Sequence, residues 1–329
     1  MMDYALQVKN LKKTYVVKEK EKGLKGSIKS FLHPRYKSIH AVDDISFSVK
    51  PGEIIAFLGP NGAGKSTTIK MLTGILYPNE GSSEVWGLDP SKKRKQLAYH
   101  IGTVFGQKEQ LWMHLTPYDN FQFFAAVYDI KKEEAKERIQ ELIQVFELDE
   151  FINTPVRNLS LGQRIRCEIV ASLIHQPDIL FLDEPTIGLD PVVKENIRSL
   201  IKKMNREFHT TVFLTSHDIG DIEKLCKRII IVNHGKIVLD DSMEAIKYHY
   251  LHKKILEVKL KEEMELSNIQ GVTIIKSKGS NLKLELDTNT TTVGDIISLI
   301  DTNNLIDMNI SNIPLEQIIT QIYKRGDEN

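Results

Sequence analysis

Apolar positions fall in three rhythms along the chain. Near the N-terminus, ALQVKNLKKTYVV and HAVDDISFSV alternate apolar with polar residues, and after Pro51-Gly52 the run EIIAFLG is almost wholly apolar. Alternation marks a strand with one buried face, and a short continuous run marks one covered on both, so three strands are predicted. Residues 18–40 interrupt the first two. Between about 118 and 175 the period lengthens: Ile139, Leu142, Ile143 and Phe146 recur at i, i+3, i+4 and i+7 inside KKEEAKERIQELIQVFEL, the spacing of one helix face. Short β-branched and aromatic runs then return as DILFLDEP, TTVFLTSHD and RIIIVNHGKIV, the first two joined by the helical VKENIRSLIKKMNREF. Buried strands alternating with helices predict a parallel sheet.

From about residue 252 a second pattern begins. KILEVKL, VTIIKS and LKLELD are predicted as strands, with Gly279-Ser280-Asn281 as a hairpin turn, followed by helices in TVGDIISLIDT and PLEQIITQIYKR. A chain of 329 residues is long enough for two domains, and this α+β tail is predicted as the second, over 252–329. It carries no chemical motif, so packing or regulation is its expected role.

Composition narrows the setting. Hydrophobic residues make up 41% and charged residues 27%, the balance of a chain that folds in water. Lys+Arg and Asp+Glu both count 44, so no global basic field argues for nucleic acid. Charge is local instead: residues 18–37 hold seven Lys/Arg against Glu19 and Glu21, and Leu24, Ile28, Phe31 and Leu32 share one helical face before Pro34. Such a basic amphipathic helix suits an anionic membrane surface, and a solvated surface insertion fits equally. Cys167 and Cys226 lie far apart, outside any metal-ligand spacing, which suits reduced structural thiols. No apolar run approaches the roughly 18 residues of a spanning helix, so work at a membrane would need another anchor.

The chemistry concentrates in LGPNGAGKST. Gly59, Gly64, Lys65 and Ser66 fit G-x-x-x-x-G-K-[ST], with Pro60, Asn61, Gly62, Ala63 and Thr67 completing the loop between a strand and the helical TTIKMLTGIL. Glycines let the backbone curl until its N–H groups point inward on a phosphate, Lys65 brings a positive charge to the β/γ-phosphates, and Ser66 can ligate Mg²⁺. A second element fits the same chemistry. ILFLDEP ends an apolar strand on Asp183, able to hold Mg²⁺ through water, and Glu184, able to orient an attacking water. His217 in LTSHD can reach the γ-phosphate or serve only as a strand-end residue. Gln107 in IGTVFGQ can ligate Mg²⁺ or merely close a turn. In NLSLGQRIR, Ser160 is predicted as the N-cap of a helix.

The order of these motifs carries a resemblance. P-loop, Gln after a strand, LSLGQ, Asp-Glu strand end, GLD and a strand-end His is similar to the succession in ABC-type ATPases, over about residues 5–240. The group it most resembles is that of ABC-2 drug and polysaccharide exporters. This implies an α/β P-loop NTPase with an antiparallel β subdomain and a helical subdomain at about 108–175, in an ATP-binding domain over 1–245. It implies a head-to-tail pair of like or unlike subunits, with ATP between the P-loop of one and Ser160, Leu161, Gly162 and Gln163 of the other. The usual signature of the family has Gly where Leu161 stands; an N–H at negative φ remains usable there, so binding is expected to survive and the rate is left open.

By the same resemblance Asp190 in GLDP links the two sites, although Asp before Pro is also a turn former. Tyr15 corresponds to the aromatic that stacks on adenine, with Tyr36 as runner-up. Glu184 and His217 become the catalytic pair, and Ser66, Gln107 and Asp183 the Mg²⁺ ligands. The implied function is the ATPase motor of a transporter, sitting on the cytoplasmic face of the membrane beside a separate permease. A short permease helix would enter the cleft lined by KEQLWMHLTPYDNF, where Trp112, Tyr118 and Phe121 suit either an interface or the core. The alternative is a soluble ABC ATPase acting on ribosomes or nucleic acid, a group that usually carries two nucleotide domains, zinc modules or long coiled coils, none of which is visible.

Overall fold

In the computed structural model, the N-terminal alternation becomes an antiparallel pair, β1 (Leu6–Lys18) with β2 (Tyr36–Val49), matched from Leu6 opposite Val49 to Lys18 opposite Tyr36. The structure describes residues 3–18, 36–105, 109–216, 218–250, 252–264 and 269–327. Residues 18 and 36–40 belong to the strands, which corrects the expectation that all of 18–40 interrupts them. The predicted amphipathic helix, from Leu24 to Pro34, lies outside the described residues. The chain divides into two units, Met1–Asp240 and Asp241–Asn329.

In the first unit, β1 also pairs with β4 (Glu80–Val85), giving a three-stranded antiparallel sheet in the order β2-β1-β4. β4, with the sequence EGSSEV, has no apolar alternation to announce it. A six-stranded sheet has the order β5-β6-β7-β3-β8-β9. Its strands are β3 (Ile54–Leu58), β5 (Ile101–Phe105), β6 (Ile179–Asp183), β7 (Thr211–Thr215), β8 (Arg228–Asn233) and β9 (Lys236–Ser242). β3 runs parallel to both of its neighbours, β7 and β8, and β5-β6-β7 continue in parallel. The run RIIIVNHGKIV, expected as one strand, is two: His234 and Gly235 both take positive φ, 48° and 80°, the conformation of a two-residue hairpin turn.

The two sheets share one core. Phe47 on β2 meets Phe57 on β3 at 5.7 Å between centroids, and Phe57 meets Phe213 on β7 at 5.2 Å. All three rings are buried, so the antiparallel sheet packs directly behind the strand that carries the P-loop. Sheet burial on this scale is the main stabilising term of such a unit.

Ten helices can be followed among the described residues, beginning with α1 (Lys65–Leu72) and the short α2 (Arg94–Leu97). The long-period region forms α3 (Pro117–Val127), α4 (Lys132–Phe146) and α5 (Leu161–Leu173). Ile139, Leu142, Ile143 and Phe146 are buried, as their spacing predicts. α6 (Pro191–Phe208) joins β6 to β7, and α7 (Ile219–Leu225) follows β7.

The second unit opens with α8 (Met243–His249), capped by the Ser242 hydroxyl. Its antiparallel sheet has the order β11-β12-β10-β13, with β10 (Lys253–Leu260), β11 (Val272–Lys278), β12 (Asn281–Asp287) and β13 (Leu305–Asn312). Leu256, Val258, Leu282, Leu284 and Leu286 pack on Ile296 of α9 (Val293–Leu299), and α10 (Leu315–Asp327) ends the chain's described part. β13 was not foreseen. It is an edge strand whose residues Ile306-Asp307-Met308-Asn309-Ile310-Ser311 do alternate apolar with polar, yet only Leu305 and Met308 reach the core cluster from it.

Candidate functional site

β3 delivers the P-loop to the middle of the sheet, at the carboxyl ends of the parallel strands, where open α/β sheets bind ligands. The loop turns into α1 at Gly64, whose φ is 103° and where a Cβ would stand 2.2 Å from the Ala41 carbonyl oxygen. Only glycine fits that approach, which holds the loop against β2. Lys65 begins the helix and is 6% exposed. Its Nζ donates to the carbonyls of Gly59 at 2.6 Å and Pro60 at 3.1 Å. Burial lowers its pKa, opposed by the nearby Glu184 and Asp183 carboxylates. A cation so desolvated attracts a phosphate far more strongly than one in water.

Asp183 at the end of β6 faces the P-loop. Its Oδ2 accepts from the Ser66 hydroxyl at 3.5 Å, and its Oδ1 from the Thr215 hydroxyl at 2.5 Å. A hydroxyl and a carboxylate oxygen this close are hard donors of the kind Mg²⁺ takes alongside phosphate oxygens and water, so the donor set fits that ion. Glu184 follows with φ 56°, and its N–H donates to the Thr215 carbonyl at 3.0 Å, tying the ends of β6 and β7 together. Gln107 and His217 lie outside the described residues.

Ser160 caps α5 as predicted, and does so reciprocally. Its hydroxyl accepts from the Gln163 N–H at 3.3 Å while the Gln163 side-chain oxygen accepts from the Ser160 N–H at 2.9 Å. Ser160 is exposed, and so is Leu161, whose Cδ2 would stand 3.5 Å from a Cβ placed on Gly188. Gly162 is buried, and a Cβ there would meet Val193 Cγ1 at 2.4 Å. Asp190 caps α6, its Oδ1 accepting from the N–H groups of Val192 at 3.0 Å and Val193 at 3.1 Å. The signature turn and the Asp190 turn therefore pack side by side.

Tyr15 lies opposite Ile39 in the β1–β2 pair, two residues from the Ala41 carbonyl that abuts the P-loop. Tyr36 lies five residues from it, about 17 Å along a strand. Tyr15 is 38% exposed, with Lys13 Nζ 5.7 Å from its ring centroid. Of the three aromatics offered as interface or core, Trp112 is exposed, Tyr118 half-buried and Phe121 wholly buried, so Phe121 is core. Behind this segment a cavity of about 200 Å³ is lined by Thr103, Gln110, Phe124, Tyr128 and His175.

Two groups of side chains escaped the sequence reading. Glu168 on α5 is 5% exposed, and its carboxyl is pushed up to about 7 by burial, against a backbone hydrogen bond from Gln110 and the charge of Arg164. Arg164 pairs with Glu109 at 2.7 Å, so α5 is tied twice to the segment after Gln107. The other group surrounds Asp221, fully buried beside the ends of β6 and β7. Both join residues far apart in sequence; Glu168 in CEIV and Asp221 in DIGD give no local signal beyond a carboxylate near an apolar run.

A P-loop on a central parallel strand, facing a strand-end Asp-Glu, defines a P-loop nucleoside triphosphatase. The family model described as "ABC transporter" matches residues 42–187. The chain is 34% identical over 210 residues to the ABC transporter ATP-binding protein NatA of Bacillus subtilis (strain 168), spanning 64% of this chain and 85% of that protein. It is 36% identical over 233 residues to the linearmycin resistance ATP-binding protein LnrL of the same organism, spanning 71% and 68%. The dimeric structure of the ATP-binding cassette MJ0796 in a post-hydrolysis state bound to ADP and Pi superposes with a TM-score of 0.59 at 28% identity, covering 72% of this chain and 98% of that one. The chain belongs to the ABC transporter family: it is an ATP-binding and ATP-hydrolysing motor subunit. Among the described residues no helix is long and apolar enough to cross a membrane.

Proposed function

We propose that this subunit powers export through a separate permease, by closing on a second ATPase subunit around two ATP molecules. The observation that carries the site assignment is the meeting of Ser66 with Asp183 beside the buried Lys65, with Glu184 next along the chain. Exchange of the Gly59 and Pro60 carbonyls for phosphate oxygens would leave Lys65 on the β/γ-phosphates, while the curled backbone of Gly62, Ala63 and Gly64 presents its N–H groups. Ser66 and Asp183, with Gln107 by its place in the motif order, would hold Mg²⁺. Bound there, the ion supplies neutralisation of phosphate charge.

Glu184 orients the attacking water and His217 supports the γ-phosphate, so that product loss reopens the pair. The Ser160-Leu161-Gly162-Gln163 turn, with the positive end of α5, receives the γ-phosphate of the partner's ATP. Asp190, packed beside that turn through Val193, relays closure between the two sites. Tyr15 stacks on adenine; its place near the P-loop supports it over Tyr36. The cavity behind Gln110 and the exposed Trp112 receive the permease. Residues 18–40 add contact with the inner membrane surface, on the cytoplasmic face. The direction of transport rests on the resemblance to exporters and on the relative named for linearmycin resistance.

The test is a pair of measurements on Glu184→Gln. ATP binding is expected to match the wild type while turnover falls about 10²- to 10⁴-fold, the usual size of a general-base contribution. Turnover at the wild-type rate would overturn the assignment.

A further inference from the structure

Asp221 is 0% exposed, and its carboxylate collects hydrogen bonds from three separate stretches of chain. Its Oδ2 accepts from the Thr186 hydroxyl in a short bond and from the Ser216 hydroxyl at 3.0 Å. Its Oδ1 accepts from Arg198 Nε at 2.6 Å, and Arg198 Nη2 lies 2.6 Å from the same oxygen. Thr186 stands two residues after Glu184, Ser216 immediately precedes His217, and Arg198 lies on α6, the helix that Asp190 caps.

Asp218 is tied into the same group. Asp218 donates its N–H to the Ser216 hydroxyl at 3.0 Å, and its carboxylate takes Lys194 of α6 at 2.5 Å. Thr186 and Arg198 are themselves buried, at 2% and 8% exposure. Buried charge in such a cluster persists only when every partner is in place, because each loss leaves an uncompensated polar group. The two strand-end segments and α6 are thus held in one relative arrangement by a single, fully buried side chain.

We infer that Asp221 is a positioning residue for hydrolysis, fixing the turn after Glu184, the chain at Ser216 beyond the end of β7, and α6 to one another through Thr186, Ser216 and Arg198. This rests on the reading of Glu184 and His217 as the hydrolytic pair. An error of about an ångström in catalytic geometry can cost 10²-fold in rate, so the network's effect belongs in turnover rather than in nucleotide affinity.

The experiment compares Thr186→Val, Thr186→Ser and Asp221→Asn with Glu184→Gln, measuring kcat, KM for ATP and the thermal midpoint of each. Thr186→Val removes one hydrogen bond and leaves the Asp221–Arg198 pair intact, so it stays informative even where Asp221→Asn fails to fold. The expected result is a kcat lowered about tenfold or more in Thr186→Val, KM within about twofold, and recovery of kcat in Thr186→Ser, which restores the hydroxyl. A kcat for folded Thr186→Val equal to the wild type, with Glu184→Gln stalled, would overturn this inference alone. A parallel fall in kcat and thermal midpoint that Thr186→Ser does not repair would also overturn it, as a purely structural role. Normal turnover by Glu184→Gln would instead remove the catalytic reading beneath it.

Discussion

At the scale of single residues, burial decides what each charge does. Lys65 is held out of water against two carbonyls, so its charge is available only to a ligand that enters the loop. Lys65→Ala is expected to weaken ATP binding itself by tenfold or more, on the order of one charge-assisted contact, as read by equilibrium titration. Glu168 illustrates the reverse case. Its carboxyl, raised from 4.5 to about 7 by burial, binds a proton in the folded state that the unfolded chain has already released.

Its contribution is therefore fully present below about pH 4.5 and is lost as pH rises through about 7. The loss is on the order of 3 kcal/mol. Glu168→Gln removes this term, so denaturant unfolding should find the variant gaining on the wild type from pH 5 to pH 8, by about that amount. A difference independent of pH would show that Glu168 is not buried as a proton-binding group. Lys65, Asp183 and Glu184 were legible in the sequence because their chemistry is written in one short motif each. Glu168 and Asp221 were not, because their partners arrive from elsewhere in the chain: Gln110 lies 58 residues before Glu168, and Thr186 lies 35 residues before Asp221.

At the scale of elements, α5 shows one local arrangement serving two ends. The Ser160–Gln163 capping box satisfies N–H groups at the helix start, and the same exposed turn is the one proposed to meet a phosphate. Ser160→Ala should cost about 1 kcal/mol in urea unfolding, and should lower ATP turnover by more than that stability loss explains. Gly162→Ala forces its new methyl into Val193, which belongs to the Asp190 turn; overpacking of this sort costs about 1–3 kcal/mol. Most elements could be placed from the sequence because their apolar period was unbroken. β4 could not, since the polar edge strand EGSSEV carries no alternation; β13 was missed although Ile306, Met308 and Ile310 alternate with polar residues, in a short stretch between two helices. The split of RIIIVNHGKIV into β8 and β9 was also hidden, because apolar residues continue on both sides of the His234-Gly235 turn.

At the scale of the whole molecule, one chain supplies both a P-loop, before α1, and the Ser160–Gln163 turn, at the start of α5. The proposed function needs a second subunit to bring them together, and a membrane partner to use the motion. Gentle solubilisation of host membranes should therefore recover the tagged chain with a polytopic membrane protein in stoichiometric amount. Recovery with ribosomes or nucleic acid instead would favour a soluble ABC ATPase.

Closure of two subunits on ATP is read directly by the sedimentation of Glu184→Gln with and without ATP and Mg²⁺. The expected result is a monomer that becomes a dimer when ATP is added, and that fails to do so when Ser160→Ala and Gly162→Ala are combined with it. A Glu184→Gln chain that binds ATP at saturation and still sediments as a monomer would contradict it.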